Sequence, residues 1–509
     1  MGLKLTCGIL ALAIASAAQA KPADSGDARF EALVADYYQE YPAAHPTAAT
    51  ELGLHEHDGD LEDVSQAGIA REVKRLRGWA ARFAAVRARA LSPYQQNDLA
   101  FERTAIASQL VELTEVKSWQ RLPDYYPDLA SRSVYVLIQR DFASAAARMK
   151  SAIAREQKIP AVIAAGKRNL GAVAPVAVDI ALDEVDGIID FFQKDVPLAF
   201  ASVKDPKLDA ALGQSTAEVT RALADYRDFL KKDLKPRAHG SFAIGEKAFR
   251  DKLRADEMID VPTGALLARG EAELHRLQAE FKKTAALIDP HASFADVQHL
   301  VQKDHDSADH LLADTQARLA GLRQFIVEHH LVTIPSPSLP KVEETPPFMR
   351  ATTFASMDTP GPFEKRATQA YYNVTLPEKS WPASQIEDFM RGAFNRPLID
   401  VVSIHEAFPG HYVQFLWVPK VPGLVRKFEG VSTNIEGWAH YCEQMMLDEG
   451  YGGNDPRLRL SQLQDALLRA ARYVVGIRLH TRGMTLAQAE DFFQREGYQS
   501  RKVAEMETR

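Results

Sequence analysis

The sequence predicts a mainly α protein: a large helical fold with a small β-sheet near a candidate metal site, and two helical halves around a cleft. Three observations carry this. Apolar residues recur at helical spacing through most of the 509 residues. A stretch rich in Pro, Ser and Thr, 331–382, interrupts that pattern and excludes helix over much of its length. Helical patterning then resumes and carries a cluster of His and Glu.

The opening MGLKLTCGILALAIASAAQAKPADSG has a positive n-region at Lys4, a short apolar run and small residues at AQA. It reads as a secretory signal peptide cut after Ala20 and is too short to span a bilayer comfortably. The expected organisation is residues 1–20 as signal and 21–509 as a single helical domain. Its N-terminal helical half is 21–330, and 331–509 holds the strand region and the metal-site helices. No later segment is apolar enough to cross a membrane, so the expected protein is soluble and periplasmic or secreted. Cys7 leaves with the signal, and Cys442 alone cannot form an intrachain disulfide; a buried thiol is its expected state. At 46% hydrophobic residues the chain can build a large core instead. The net charge is −7, or −8 once Lys4 is removed, and the charges are interspersed. That balance argues against nucleic acid or an anionic membrane surface as a partner. Oligomeric state is not legible.

Helices are expected over 65–91, again from Ser92-Pro93, and over 142–168, 176–203, 215–232, 261–288 and 306–330. Strands are expected at RATTFAS (350–356) and QAYYNVTL (369–376), with their β-branched and aromatic residues. Ser384 and Glu387 fit a capping box opening the next helix.

The chemistry concentrates in SIHEAFPGHYVQ, 403–414. A zinc hydrolase needs protein ligands, an open position for water and a base. His405 and His411 are candidate ligands, and Glu406 a candidate base. Six residues separate the histidines, so a regular helix would hold them about 120° apart. Pro409 disfavours such a helix, and a break at Pro-Gly can bring His411 back to face His405. The third ligand is sought in NIEGWAHYCEQMM, where Glu436, His440 and Glu443 share a helical face. The alternative for Glu436 and His440 is a solvated pair on an amphipathic helix. KDHDSADH (303–310), with His305, Asp306, Asp309 and His310, and HEHD (55–58) are weaker metal candidates beside a solvated helix face. NVT at 373 fits a glycosylation acceptor, without special meaning in an exported bacterial protein. Tyr371 and Tyr372 are candidate substrate-binding residues on an edge strand that could pair with an extended peptide; ordinary packing is the alternative.

IHEAFPGHYVQ followed by EGWAHYCE resembles the bacterial family known as domain of unknown function 885. HPTAATELGLHEHDGDLEDVS, FAIGEKAFRDKLRADEMIDVPTGALLARGEAEL and QAYYNV extend the resemblance over nearly the whole mature chain. The family looks like a branch of the glutamate-ligand zinc metallopeptidases. The resemblance implies a Zn2+ cofactor held by His405, His411 and Glu436, with Glu406 as general base and a peptide substrate. It also places an Arg and a His eight residues apart near the site, here Arg472 for substrate or carboxylate binding and His480 for transition-state hydrogen bonding. The alternatives are an ion-pair role for Arg472 and a helix C-terminal cation for His480. Where the family reads Asp-Thr-Gly, this chain has Gly476, Ile477 and Arg478. Family members usually continue past RKVAEMETR to a tyrosine in a P-x(5)-Y-x-x-G context, so a truncated or frameshifted reading frame is expected here; an active-site gap or covering by a dimer is the alternative. The expected function is zinc-dependent hydrolysis of short peptides in the cleft. A metal-dependent amidase and a zinc-containing, catalytically degraded binding protein are the rivals.

Overall fold

A computed structural model describes residues 26–346, 349–350 and 353–509. The expected signal peptide lies outside the described residues. The chain is about 70% helical with one small sheet, so the mainly α class holds. Among the described residues no helix is long and apolar enough to cross a membrane.

The N-terminal half opens with α1 (Gly26–Ala44), followed by the helix Gln66–Ala84, capped by Ser65, and α2 (Pro93–Val111), capped by Ser92. Phe30, Tyr37, Trp79, Phe83 and Ile106 form the core among them. A larger core, from Val64 to Leu234, takes in α3 (Pro175–Asp190). The continuous pattern at 142–168 is two helices, Ala145–Glu156 and Ile159–Asn169, because Pro160 sits in the first turn of the second. α4 (Thr263–Ile288) leaves this half and packs along a helix of the C-terminal half.

α5 (Leu311–Glu328) starts later than expected. The acidic-histidine run before it forms turns rather than a solvated helix face. Buried Asp306 accepts from the Arg396 guanidinium and lies 3.6 Å from Arg318, while His305 faces Glu387 at 3.2 Å. These carboxylates hold arginines, not a metal set. In HEHD, His55 is likewise spent between Asp58 and Glu364.

The sheet has strand order β1-β3-β2: β1 (Lys341–Glu344) is parallel and β2 (Ala355–Asp358) antiparallel to the central β3 (Tyr371–Val374). β2 falls toward the end of the expected RATTFAS strand and beyond it; Ala351 and Thr352 lie outside the described residues. Asn373 is buried in β3 with its amide on Ser356, so the acceptor motif is not at the surface. The helix Ala383–Ala393 has no side-chain cap. Pro382, with its fixed φ and no N–H, takes the boundary, which places Ser384 two residues inside and leaves Glu387 to bind Arg391 and His305.

Four helices carry the site. Asn395 caps α6 (Arg396–Glu406), accepting from the Leu398 amide, and α7 (His411–Trp417) follows after a four-residue turn. α8 is Ser432–Asp448, and Asp455 caps α9 (Pro456–Thr481). α4 and α9 approach so closely that a Cβ on Gly270 would lie 2.4 Å from the Tyr473 ring. A last short helix, α10 (Arg501–Glu507), docks Val503 and Ala504 beside α9.

One buried polar contact ties the two halves together ahead of α8. The Tyr38 hydroxyl donates to Glu102 on α2 and lies 3.4 Å from Glu429. Burial, with the Glu429 and Asp98 charges adding and the Tyr38 hydrogen bond opposing, pushes the Glu102 carboxyl up to about 8 from 4.5. Folding therefore favours its protonated form. That contribution is complete below pH 4.5 and is lost as pH rises toward 8. Glu102→Gln carries no such titration. Across that window it should gain on wild type by about 4 kcal/mol in urea unfolding; a constant difference would show that the carboxyl is not held protonated.

Candidate functional site

The local sequence dictates how α6 ends. Pro409 has no N–H to continue the helix, and the Ala407 and Phe408 amides both turn back to the Ser403 carbonyl, at 3.0 and 3.2 Å. The Gly410 amide donates to the Ile404 carbonyl at 3.0 Å. A Cβ on Gly410 would lie 1.7 Å from the His405 carbonyl oxygen, so only glycine lets the backbone fold this tightly. Trp438 on α8 donates its indole N–H to the Pro409 carbonyl at 2.9 Å and pins the turn. His411 then opens α7, with its ring centroid 4.7 Å from that of His405 and the planes at 86°.

Glu436 on α8 completes a cluster. Its carboxylate oxygens lie 3.4 Å from His405 Nε2 and 3.6 Å from His411 Nε2. One ligand atom from each of the three residues falls within 4.8 Å of the others. Two imidazoles and a carboxylate are a donor set zinc accepts, and donors about 2.1 Å from a tetrahedral ion stand roughly 3.4 Å apart. The residues therefore fit the ion. Both histidines are buried, whereas the Glu436 side chain is 62% exposed and faces a cavity of about 1210 Å³.

Around the ligand atoms lies a second layer. Glu443, fully buried on α8, sits 2.7 Å from His405 Nδ1 and 3.2 Å from His440 Nδ1. Accepting from Nδ1–H turns the His405 Nε2 toward the cluster. Arg469 on α9 forms an ion pair at 3.1 Å with the Glu443 oxygen that faces His405, and is itself held by Asp465 at 2.5 Å. Burial opposes a charge on Glu443, but Arg469 and the two histidines hold its carboxyl well below the usual range. Burial likewise opposes a proton on His405, yet Glu436 and Glu443 raise it to about 10, while burial and the His405 charge lower His411 to about 4. The metal-free first ring is thus an imidazolium facing Glu443 through Nδ1 and Glu436 through Nε2, and a metal would take the place of its Nε2 proton; the second ring is neutral. Glu406 is pushed up to about 7 by burial and the Glu436 charge, against His405, Arg469 and a hydrogen bond from the Met357 backbone of β2.

The other expected site residues are placed differently. Tyr372 is buried, with its hydroxyl 3.4 Å from Ser403 Oγ, and neither it nor Tyr371 lines this cavity. Both belong to the central strand; the edge strand on the cavity is β2. His480 lies 11 residues beyond Arg469 on α9, about 16 Å of helical rise away. Its Nδ1 accepts from the Ile244 amide at 3.4 Å and its ring stacks against Phe249, so it is not brought to the site. Arg472 lines the cavity, with its guanidinium on Glu507. Sequence reasoning did not find Arg469, the cation that the fold puts beside His405; in LLRAARYVV only the partners of each arginine distinguish it from Arg472. Cys442 is buried, and burial raises its thiol.

The family model described as bacterial protein of unknown function (DUF885) matches residues 46–509. The chain belongs to that family. No curated protein matches it. Two solved structures share the fold. One is a putative lipoprotein of unknown function from Shewanella oneidensis, 25% identical, with a TM-score of 0.75 over 94% of this chain and 88% of that one. The other is the putative lipoprotein from Colwellia psychrerythraea, 16% identical, with a TM-score of 0.75 over 95% and 88%, a likeness of fold alone.

Gly410→Ala puts a methyl group into the His405 carbonyl. It should cost about 3 kcal/mol or more in urea unfolding; a loss under 1 kcal/mol would show that the turn relaxes freely.

Proposed function

We propose that this DUF885 member is an exported zinc metallopeptidase that hydrolyses peptide bonds of short peptides in the cavity. The observation that carries the reading is the convergence of His405, His411 and Glu436, with one ligand atom each inside 4.8 Å, beside the buried Glu406. The N-terminal sequence and the lipoprotein descriptions of the two similar structures support export.

A zinc ion held there would supply Lewis acidity and lower the pKa of a water. Glu406, buried beside the cluster, accepts the proton of the attacking water and returns it to the leaving nitrogen. Glu443 and Arg469 fix the tautomer and direction of His405. β2, at the sheet edge and on the cavity wall, offers backbone groups to an extended peptide. The cavity lies between the N-terminal wall around Asp124 and Glu184 and the site helices, an enclosure suited to short chains rather than folded proteins.

Elemental mass spectrometry of the purified protein should give one zinc per chain, lost in His411→Ala and Glu436→Ala. Metal-free, well-folded wild type would remove the reading. Glu443→Gln should retain the ligands but weaken zinc affinity by about 10–100-fold, measured by chelator competition. Glu406→Gln should keep the zinc and lower turnover of a peptide library by roughly 10²–10⁴-fold. Zinc-loaded wild type that binds peptides and turns none over would instead favour a binding protein.

A further inference from the structure

We infer that His440 is a positioning residue for the metal cluster: it holds one oxygen of Glu443 in place so that the other stays on His405. The inference rests on the zinc reading and goes one residue beyond the layer that touches the ligands.

The Glu443 carboxylate is fully buried, and its two oxygens are unequally served. Oε1 takes His405 Nδ1 at 2.7 Å and lies 3.1 Å from the Arg469 guanidinium. Oε2 takes His440 Nδ1 at 3.2 Å, and among the described residues no other group donates a hydrogen bond to it. The carboxylate, ionised beside Arg469, can only accept, so both imidazoles carry a hydrogen on Nδ1. One buried anion is thus held from two sides, by the ring of a metal ligand and by a ring that belongs to no ligand set. His440 is not among the residues whose ligand atoms converge, so its effect on the metal passes through Glu443.

Without His440 the second oxygen would be a buried, charge-bearing atom with no donor, and such atoms find a partner wherever a rotation allows it. Rotation about the last side-chain bond would carry Oε2 toward the Arg469 guanidinium and draw Oε1 off His405. His405 would then lose the acceptor that sets the direction of its ring. The helix makes the hold firm. Glu436, His440 and Glu443 stand at i, i+4 and i+7 on α8, so the ligand, the orienting carboxylate and the residue behind it share one face. His440 forms the outer end of this row: its side chain is 36% exposed where that of Glu443 is 0%. Its other charged neighbour is Glu273 of α4.

The test is zinc affinity by chelator competition, with the absorption bands of the cobalt-substituted protein as a second readout. His440→Leu keeps the bulk and removes the donor. It should weaken zinc binding about fivefold, less than loss of the direct partner does, and shift the cobalt bands. His440→Ala repeats that test without a bulky side chain. His440→Asn places an amide N–H where Nδ1 stood and should restore most of the affinity and the wild-type bands. In a Glu443→Gln background His440→Leu should weaken zinc binding no further, because the residue acts through that carboxylate. Unchanged affinity and bands in both His440→Leu and His440→Ala overturn the inference and leave the zinc reading intact. An equal loss with and without Glu443 overturns it in favour of a direct charge effect of the imidazole. A loss in His440→Asn as deep as in His440→Leu overturns the donor role. Wild type that binds no zinc overturns the zinc reading, and the inference with it.

Discussion

The site depends on one backbone constraint: α6 has to end at Glu406 and a new helix has to begin at His411. An unbroken helix would point the two imidazoles about 120° apart. The reversal costs hydrogen bonds that the helix would have made, and the chain recovers them locally. Three amides, those of Ala407, Phe408 and Gly410, return to the carbonyls of Ser403 and Ile404, and Pro409 has no amide to satisfy. The remaining carbonyl, that of Pro409, takes the Trp438 indole N–H. The turn is thus fixed by the same helix, α8, that brings Glu436. Placement of Glu436 and closure of the turn are one packing event.

A second consequence is the separation of two buried glutamates into different states. Glu443 is surrounded by donors, with Arg469 and two histidines, and stays ionised. Glu406 has one backbone donor and a carboxylate neighbour, and burial drives it toward the protonated form. Two carboxyls of the same chemistry are pushed apart by what surrounds them, which is the condition for one to orient and the other to exchange protons. Removing Arg469 would leave Glu443 a buried charge short of its main partner, which is more damaging than removing both together.

The convergence of His405, His411 and Glu436 was legible because spacing and residue type there encode geometry. They sit on three helices, the first two joined by a predictable break. What the sequence hid was tertiary. Periodicity identifies Tyr371–Val374 as a strand but not as the central one, so both tyrosines read as edge residues when Tyr372 packs inside and Tyr371 is half-buried. β1, with the sequence KVEE, has no apolar alternation to announce it; it exists because Val342 enters the core beside Tyr372. On α9, Arg469, Arg472 and His480 are all polar residues on one helix. The partners that distinguish them, Glu443, Glu507 and the Ile244 amide, come from three elements far apart in the chain. A capping box at Ser384 failed for a local reason, since Pro382 already set the boundary.

α9 gives these parts their order. Asp465, Arg469 and Arg472 stand at i, i+4 and i+7, on one face toward the cavity. The first neutralises the second, the second steadies the shell of His405, and the third reaches the cavity. Its opposite face is locked onto α4, where Gly270 admits the Tyr473 ring. A helix clamped along its back can hold a graded row of charges on its front in fixed order. Conversely, a change in the α4–α9 packing far from any ligand would move all three residues together. The site is therefore as well positioned as that helix pair.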